Sequence, residues 1–287
     1  MRFLVLGATG MVGQAIAAEA RSRGHAVTAG ARRDAPLIID ATDDSALRRA
    51  VGELRPEVVV NCLSFGSVDA CNENPEAAYR VNARVNGRLA ELCRGVDATL
   101  VAIGTDHYFT GDGAKRHDET AEVRLVNDYA LSKYAGEQLA LAWPRSLAIR
   151  TNVTGFRGWA DRPTFVEWAV ASLRSGAPVE LFDDYHCSTI DAGSLALAAI
   201  ELVERGVRGL FNVASRDVAS KRRFVVGLAE RLSLPSGHLG AGSVRALAVP
   251  RAESAGLDVG KAEAALGRRL PTFDQVIDTL ARLAEDA

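Results

Sequence analysis

The chain of 287 residues has few cysteines, no excess of one charge sign and no long apolar run. Its four cysteines are far apart and form no Cys-x-x-Cys pair, which argues against a disulfide scaffold or a zinc finger and is typical of a cytoplasmic protein. The 34 basic and 36 acidic residues give a formal net charge of −2, so we expect no nucleic-acid partner. No apolar stretch approaches the roughly 20 residues of a membrane span, so we expect no membrane association.

Short apolar runs alternate with helical patterns over the first half of the chain. The predicted strands are residues 2–6, 26–29, 37–39, 57–61, 99–103 and 146–149. The predicted helices are residues 12–23, 44–54, 75–93 and 127–141. This alternation predicts an α/β fold with a doubly wound, Rossmann-type parallel sheet that is covered by helices on both faces.

The pattern changes after about residue 155, where short elements alternate with turns rich in Gly, Pro and Asp. We therefore predict a first domain over residues 1–155 and a small C-terminal lobe over residues 156–287. A helix and a strand at about residues 192–215 are expected to return to the first domain's sheet. Helical patterns cover residues 257–266 and 273–284.

Three glycines, Gly7, Gly10 and Gly13, lie directly after the first predicted strand and open the first predicted helix. Glycine at these places allows a tight turn, close approach of the backbone to a diphosphate, and close packing of the helix on the strand. A plain strand–helix turn is the alternative explanation. We expect the turn to bind a dinucleotide through Gly7, Thr9, Gly10, Met11, Val12 and Gly13.

The end of the second strand indicates which dinucleotide is preferred. It carries Arg32 and Arg33, where an enzyme that prefers NAD has a carboxylate for the ribose 2′-hydroxyl. A guanidinium suits the 2′-phosphate instead, so NADP(H) is preferred over NAD(H), unless both arginines are solvated surface residues. Asp40, followed by Ala41, is placed to meet the adenine amino group or to cap the next helix.

Tyr129 and Lys133 form a Tyr-x-x-x-Lys pair on one face of a predicted helix. A tyrosine hydroxyl can deliver a proton to a ketone oxygen when a neighbouring ammonium stabilises the phenolate. Thr105 follows the predicted strand 99–103 and can donate a hydrogen bond to the same oxygen. Together with the glycine turn, these three residues predict a reductase.

The chain resembles the extended short-chain dehydrogenases/reductases and, among them, the dTDP-4-dehydrorhamnose reductase family. The resemblance covers essentially the whole chain and rests on these motifs: Gly7–Gly13, Val59-Val60-Asn61, Val68-Asp69, Asn74-Pro75-Glu76, Val81-Asn82, Thr105-Asp106, Tyr129–Lys133, Ala135-Gly136-Glu137, Ser188-Thr189 and Leu257-Asp258. It implies that Thr105, Tyr129 and Lys133 are catalytic. It also implies that further residues line the cofactor, namely Cys62, Leu63, Ser64 and Asn82 together with Tyr129 and Lys133.

The resemblance implies NADPH-dependent reduction of the C4 keto group of a nucleotide-linked deoxysugar, with the first domain holding the cofactor and the lobe mainly the substrate. The expected substrate contacts are Val68, Asp69, Asp106, His107, Val153 and Ser188. Several positions depart from the family's pattern. His107 replaces a tyrosine, Gly66 and Ala70 replace a threonine and a lysine, and Val153 replaces a tryptophan. The resemblance therefore supports the reduction chemistry more strongly than it supports any particular sugar as the substrate.

Two alternatives remain at this stage. The same scaffold serves nucleotide-sugar epimerases and dehydratases, and the family also resembles the regulatory β subunit of methionine adenosyltransferase, an NADP-binding partner protein. No metal site is predicted, because His186 and its acidic neighbours lack zinc-finger spacing. Lys221-Arg222-Arg223 is interpreted as solvated surface, with a phosphate contact as the lesser option. A homodimer is compatible with the sequence.

Overall fold

The computed structural model describes residues 1–285. Its strands are β1 (Arg2–Leu6), β2 (Ala26–Ala31), β3 (Leu37–Ile38), β4 (Val58–Asn61), β5 (Thr99–Ile103), β6 (Arg116–His117), β7 (Ser146–Arg150), β8 (Asn152–Thr154), β9 (Val179–Phe182), β10 (His186–Cys187), β11 (Thr189–Asp191), β12 (Gly209–Asn212), β13 (Ala219–Ser220), β14 (Leu239–Gly242) and β15 (Ser254–Leu257).

Eleven α-helices accompany these strands in the described part of the chain. They are α1 (Met11–Ser22), α2 (Asp44–Leu54), α3 (Val68–Glu73), α4 (Pro75–Tyr79), α5 (Val85–Val96), α6 (Asp128–Leu141), α7 (Phe165–Ser175), α8 (Ala192–Glu204), α9 (Lys221–Arg231), α10 (Gly260–Leu266) and α11 (Phe273–Glu285). A π-helical turn, Arg80–Arg84, joins α4 to α5, and a 3₁₀ turn covers Val244–Ala246.

The chain forms two compact units, each assembled from three segments. The first unit consists of Met1–Thr105, Asn127–Arg150 and Ala196–Phe211. The second consists of Asp106–Val126, Thr151–Leu195 and residues 212–285. The two units therefore alternate along the sequence.

The first unit is built on a seven-stranded sheet in the order β12-β7-β5-β4-β1-β2-β3. The pairs β1–β2, β1–β4, β2–β3, β4–β5 and β5–β7 are all parallel. The strand order reverses at β1, and in open parallel sheets the ligand lies at the carboxyl ends of the strands beside such a reversal. The predicted Rossmann-type α/β fold is confirmed.

The central strands of the sheet are mostly apolar, and helices cover them. All four residues of β4 are buried, as a parallel strand between two helical layers requires. One core cluster combines β1, β4 and β5 with α2 and α5 through Leu4, Val59, Leu100, Leu47 and Leu89, each no more than 1% exposed.

The predicted single helix over residues 75–93 is interrupted by the π-helical turn Arg80–Arg84. The turn buries Asn82, which is 1% exposed, against Gly136 of α6. A β-carbon on Gly136 would lie only 2.0 Å from the carbonyl oxygen of Asn82. The wider turn therefore lets the backbone approach α6 more closely than a side chain would allow, an arrangement often found at functional sites.

The second unit holds a four-stranded sheet in the order β13-β10-β15-β6 and two strand pairs, β8–β11 and β9–β14. Its core packs α7, α9 and α11 together through residues such as Val170, Phe224 and Leu280. The helix expected over residues 257–266 begins only at Gly260, so that part of the prediction is wrong. Leu257 ends the buried strand β15 instead, and Asp258 accepts a hydrogen bond from the Gly260 amide at 2.9 Å.

Within residues 1–285, none of the helices is both long and apolar enough to cross a membrane.

Candidate cofactor and catalytic site

The glycine turn after β1 has the geometry of a diphosphate cradle. Gly7 has a φ of +75°, and its carbonyl accepts a hydrogen bond from the Gly10 amide at 3.0 Å. A β-carbon on Gly13 would lie 2.2 Å from the Gly7 oxygen, so only glycine allows α1 to pack this closely on the turn. Gly10 precedes α1 and supplies no side-chain cap. The first amides of α1, at Met11 and Val12, therefore suit an anionic group.

The end of β4 lies against this turn. The Cys62 amide donates to the Leu6 carbonyl at 3.0 Å, and a β-carbon on Gly7 would lie 3.2 Å from the Cys62 carbonyl group. The structure thus brings the predicted cofactor residues Cys62 and Leu63 to the glycine turn, and exposed Ser64 follows them. Burial raises the pKa of the Cys62 thiol to about 12, so it stays protonated and is not a nucleophile.

Exposed cations and one carboxylate lie beyond β2 and β3. Arg32 and Arg33 directly follow β2 and are exposed. Asp40 accepts hydrogen bonds from the backbone and side chain of Thr42, which lower the pKa of its carboxyl group; the charges of Arg32 and Arg80 contribute in the same direction. The exposed side chain of Asp40 is thus kept ionised in a cationic neighbourhood.

Asp40 does not cap the following helix, so that reading of the residue is wrong. Asp43 caps α2 by accepting from the amides of Ser45 and Ala46 at 2.8 and 3.1 Å. Ala41 is buried between the two aspartates and belongs to the core. The adenine contact predicted for Asp40 stays a prediction.

A buried amide network connects β4, the π-helical turn and α6. Asn61 Nδ2 donates to Asn86 Oδ1 at 2.8 Å, and Asn86 Nδ2 donates to the Asn82 carbonyl at 3.0 Å. Asn82 Nδ2 donates in turn to Ser132 Oγ at 3.0 Å, while its Oδ1 accepts from the Phe65 amide at 2.8 Å. Asn82 therefore holds both the loop after β4, through Phe65, and Ser132, the residue before Lys133.

Lys133 is anchored at the end of β5. Its Nζ donates to the Ile103 carbonyl at 2.8 Å, and the residue is 5% exposed. Burial lowers the pKa of Lys133 to about 8, although the neighbouring thiols and Glu137 act in the opposite direction. Thr105, also 5% exposed, follows Ile103 by two residues. The structure therefore holds the lysine ammonium close to the strand end that carries Thr105.

Tyr129 lies in the first turn of α6, one helical turn before Lys133. Asn127 caps the helix by accepting from the Ala130 amide at 2.8 Å, which fixes where the helix begins. Tyr129 is half-buried, unlike the buried Lys133. Side chains four residues apart share one face of a helix, so the hydroxyl and the ammonium point to the same side.

The lowered pKa of Lys133 predicts opposite pH trends for activity and stability. Because the ammonium loses its charge above about pH 8, we expect kcat/KM for reduction to fall as the pH rises through 8.

Stability should follow the opposite trend, because the pKa of Lys133 in the unfolded chain is near 10.5. Between pH 8 and 10.5 the unfolded state binds more protons than the folded state, so the free energy of unfolding rises with pH over that range. In urea titrations, a Lys133→Met variant should be inactive and more stable than the wild type at pH 7. That stability difference should shrink from pH 8 to 10.5, and a constant difference would contradict the assignment.

The predicted substrate residues are divided between the two units. Val68 and Asp69 lie in α3 of the first unit, half-buried and exposed respectively. The other four residues belong to the second unit. Asp106, His107 and Ser188 are buried, and Val153 is half-buried, so none of the four is an exposed loop residue.

His107 is held by the protein at both ring nitrogens. The Ala252 amide donates to its Nε2 at 3.2 Å, and its Nδ1 lies 3.2 Å from the Tyr185 hydroxyl. Burial, followed by the positive charge of Arg251, lowers the pKa of His107 to about 4, so the ring is neutral at pH 7. Ser188 is similarly engaged, since its Oγ accepts from the Leu257 amide at 3.2 Å. The substrate roles of these residues stay predictions.

The acidic residues around His186 have structural partners. Asp183 accepts from Ser220 Oγ, and Asp184 accepts from the Val244 amide at 2.8 Å. Over residues 1–285, no group of three or more His, Cys, Asp or Glu side chains is arranged to hold a metal ion.

Two residues near the predicted sites were not predicted from the sequence. Arg80 lies near Asp40, and Asn152 donates to Asp106 Oδ2 at 2.8 Å. No motif marks either of them, because each reaches its position through folding of segments that are distant in the sequence. Lys221, which the sequence marks only as part of a run of cations, contacts Asn152.

The fold and the site define an NAD(P)-dependent oxidoreductase of the short-chain dehydrogenase/reductase type. The chain belongs to the family described as the RmlD substrate binding domain, whose profile matches residues 1–285. The resemblance to the dTDP-4-dehydrorhamnose reductase family is thereby confirmed.

Three similar proteins illustrate this membership. The probable low-salt glycan biosynthesis reductase of Haloferax volcanii is 31% identical over 99% of this chain and 97% of its own. The dTDP-4-dehydrorhamnose reductase of Mycolicibacterium smegmatis is 34% identical, but the match covers 77% of this chain and 66% of the relative, slightly less than two thirds. The crystal structure of the Bacillus anthracis dTDP-4-dehydrorhamnose reductase in complex with NADP has a TM-score of 0.87 at 22% identity, over 97% of this chain and 96% of that one.

Two other matches bear on the alternatives. Methionine adenosyltransferase 2 subunit beta of Pongo abelii is 26% identical over 94% of this chain and 84% of its own. The UDP-glucose 4-epimerase of Thermus thermophilus in complex with NAD has a TM-score of 0.86 at 23% identity and shares the fold over the full length of both chains.

Proposed function

We propose that the protein uses NADPH to reduce the C4 keto group of a nucleotide-linked deoxysugar. The observation that carries the proposal is the anchoring of Lys133 at the strand end before Thr105, one helical turn from Tyr129, in the unit that holds the glycine cradle. The dTDP-4-dehydrorhamnose reductases among its relatives support the choice of substrate class. The probable glycan biosynthesis reductase, matched over nearly its full length, supports the choice of a reductase.

Each residue has a role set by its surroundings. The glycine turn and the backbone of Cys62 and Leu63 would hold the dinucleotide, whose nicotinamide supplies a hydride when bound. Tyr129 would donate its phenolic proton to the keto oxygen, and Thr105 would hold that oxygen by a hydrogen bond. Lys133 would stabilise the phenolate that remains, because its ammonium is withdrawn from water and held on the Ile103 carbonyl.

The proposal is tested by mixing the purified protein with NADPH and a panel of nucleotide-linked 4-keto-6-deoxysugars. Loss of the reduced-nicotinamide absorbance with one sugar supports the reductase function and identifies the substrate. Binding of NADPH without consumption by any member of the panel would contradict it.

The preference for NADPH leads to a prediction for Arg32 and Arg33. Replacing both with alanine should weaken NADPH binding by about 10- to 100-fold, since one charge-assisted contact to a phosphate contributes about 1.5–3 kcal/mol. NADH lacks the 2′-phosphate, so its affinity should change by less than threefold, as calorimetric titration can show. Arg49→Ala, which removes an exposed arginine from α2, is the matched control. Equal losses for NADPH and NADH would contradict the assignment.

A second candidate function is that of a non-catalytic, NADP-binding regulatory subunit. The nearly full-length match to methionine adenosyltransferase 2 subunit beta favours it. Copurification with a larger enzyme, together with inertness towards every keto sugar, would support this candidate. An epimerase or dehydratase, in contrast, would retain NAD tightly and consume no NADPH.

Two further parts of the proposal concern the division of roles and the location. Residues 1–155 would hold the cofactor and residues 156–287 mainly the substrate, with the segment at about 192–215 assigned to the first domain's sheet. A cytoplasmic location is supported by the four cysteines, all of them free thiols.

A further inference from the structure

Lys221, read from the sequence as solvated surface, is fixed within the second unit by a chain of polar contacts. Asp106 Oδ2 accepts from Asn152 Nδ2 at 2.8 Å, so the amide oxygen of Asn152 must face the other way. That oxygen accepts from Thr189 Oγ1 at 2.9 Å and from Lys221 Nζ at 3.3 Å. The ammonium is therefore held by half-buried Asn152 on β8, whose amide is in turn fixed by buried Thr189 on β11, and the solvated-surface reading of Lys221 is wrong.

Two aromatic rings complete the surroundings of the ammonium. Lys221 Nζ lies 4.6 Å from the centroid of the Phe165 ring and 5.6 Å from that of Tyr185. The Lys221 amide also donates to the Tyr185 carbonyl at 3.1 Å. Rings at these distances attract a cation and keep it from extending into water. Lys221 is accordingly half-buried, whereas Arg223 in the same helical turn is exposed.

The charge of Lys221 is not neutralised within the described part of the chain. No carboxylate there forms an ion pair with its Nζ, and Asp106 is linked to it through the amide of Asn152. Of the three ammonium donors, one is directed to Asn152 Oδ1, and the ammonium also lies near the Phe165 and Tyr185 rings. A donor thus remains for an external acceptor. A half-buried cation without a counter-charge is costly unless an anion binds to it.

The nearest carboxylates are hydrogen-bonded to other side chains, since Asp106 accepts from Asn152 Nδ2 and Asp183 accepts from Ser220 Oγ. His107 is neutral at pH 7, and the first turn of α9 contains three consecutive cations and no acidic residue. Arg222, the next residue, has a buried Nε without a partner in the described residues. Cations at a helix N-terminus are ordinarily unfavourable, which adds to the charge imbalance around Lys221.

We propose that Lys221 binds the diphosphate of the nucleotide-linked substrate and so contributes to substrate affinity. This inference rests on the proposed function, since the diphosphate is the anionic group of that substrate class. Asn152, Phe165 and Tyr185 position the ammonium, and the diphosphate oxygens accept its remaining donor. The family resemblance indicated no role for this residue.

The test compares the wild type with Lys221→Met, which keeps the length of the side chain but removes its charge, and with Lys221→Arg, which retains a cation. Arg223→Ala is the matched control, because this exposed arginine lies in the same turn and pairs with Glu230 at 3.7 Å. Calorimetric titration with dTDP, UDP and GDP gives the nucleotide affinities. Titration with NADPH and thermal unfolding report whether the fold and the cofactor site are intact.

We expect Lys221→Met to weaken binding of the preferred nucleoside diphosphate by at least about tenfold, the effect of losing one charge-assisted hydrogen bond. In turnover, KM for the keto sugar should rise by a similar factor while kcat changes by less than about threefold. Lys221→Arg should recover part of the affinity, and Arg223→Ala should match the wild type. NADPH affinity should be the same in all four proteins.

The outcomes separate this inference from the proposed function. If Lys221→Met binds the nucleoside diphosphate as tightly as the wild type, the role of Lys221 is wrong, whether or not the enzyme reduces keto sugars. If Lys221 proves necessary for nucleotide binding but NADPH is never consumed, the inference stands and the reductase function is wrong. If the wild type binds NADPH but none of the three nucleotides, both are wrong.

Discussion

Tyr129→Phe should lower kcat for keto-sugar reduction by about 10²- to 10⁴-fold, the usual contribution of a positioned general acid. The substitution removes only the phenolic oxygen and leaves the ring in the first turn of α6. Lys133 keeps its hydrogen bond to the Ile103 carbonyl, so the cofactor site is expected to stay intact. Steady-state kinetics at saturating NADPH would measure the loss.

The matched control is Tyr79→Phe, which removes a phenolic oxygen from the exposed end of α4 and should leave kcat unchanged. NADPH affinity and Tm should be those of the wild type in both variants. A Tyr129→Phe enzyme with more than one tenth of the wild-type kcat would exclude Tyr129 as the proton donor.

Gly136→Ala should be the most destabilising single-methyl addition in α6. The new β-carbon would lie 2.0 Å from the Asn82 carbonyl oxygen and 2.8 Å from Asn86 Nδ2, so α6 must move away from the π-helical turn. That movement would strain the Asn82–Ser132 hydrogen bond as well as the packing. We expect a loss of about 3 kcal/mol or more in the free energy of unfolding, and a fall in Tm of roughly 6–12 °C.

Gly87→Ala in α5 is the control for this prediction. Its β-carbon would meet only the Leu139 side chain, at 3.5 Å, which is an ordinary van der Waals contact. Replacing glycine by alanine in a helix interior is worth up to about 1 kcal/mol, so this variant should match or exceed wild-type stability. Similar melting temperatures for the two variants would show that α6 does not need the close approach at Gly136.

Much of the first unit is predictable because its signals are local. The apolar runs at residues 2–6 and 99–103 coincide with β1 and β5, since a strand buried on both faces is apolar at nearly every position, here at all but the first residue. The glycine turn is equally predictable from the sequence, because the positive φ of Gly7 and the close contacts at Gly13 exclude other residues. The pair Tyr129 and Lys133 follows from helical spacing alone.

The remaining features depend on contacts between distant segments. Nothing in residues 75–93 distinguishes a continuous helix from one with a π-helical turn, because the turn is accommodated by Gly136, more than 50 residues away. Lys221 belongs to a run of cations that is typical of a solvated surface, yet Asn152 and two aromatic rings hold its ammonium in a half-buried position. A run of charged residues in the sequence does not show which of its side chains is buried, because burial depends on contacts with distant segments.

The placement of β12 has a practical consequence for anyone dividing this gene. A fragment that stops at residue 155 would lack β12, the strand that flanks β7 at one side of the seven-stranded sheet. The backbone of β7 would then become an unprotected edge made of five buried residues, Ser146–Arg150. Such an edge recruits other chains and leads to aggregation. Expression of the cofactor-binding part alone therefore requires a circular permutation or a graft that retains residues 196–211.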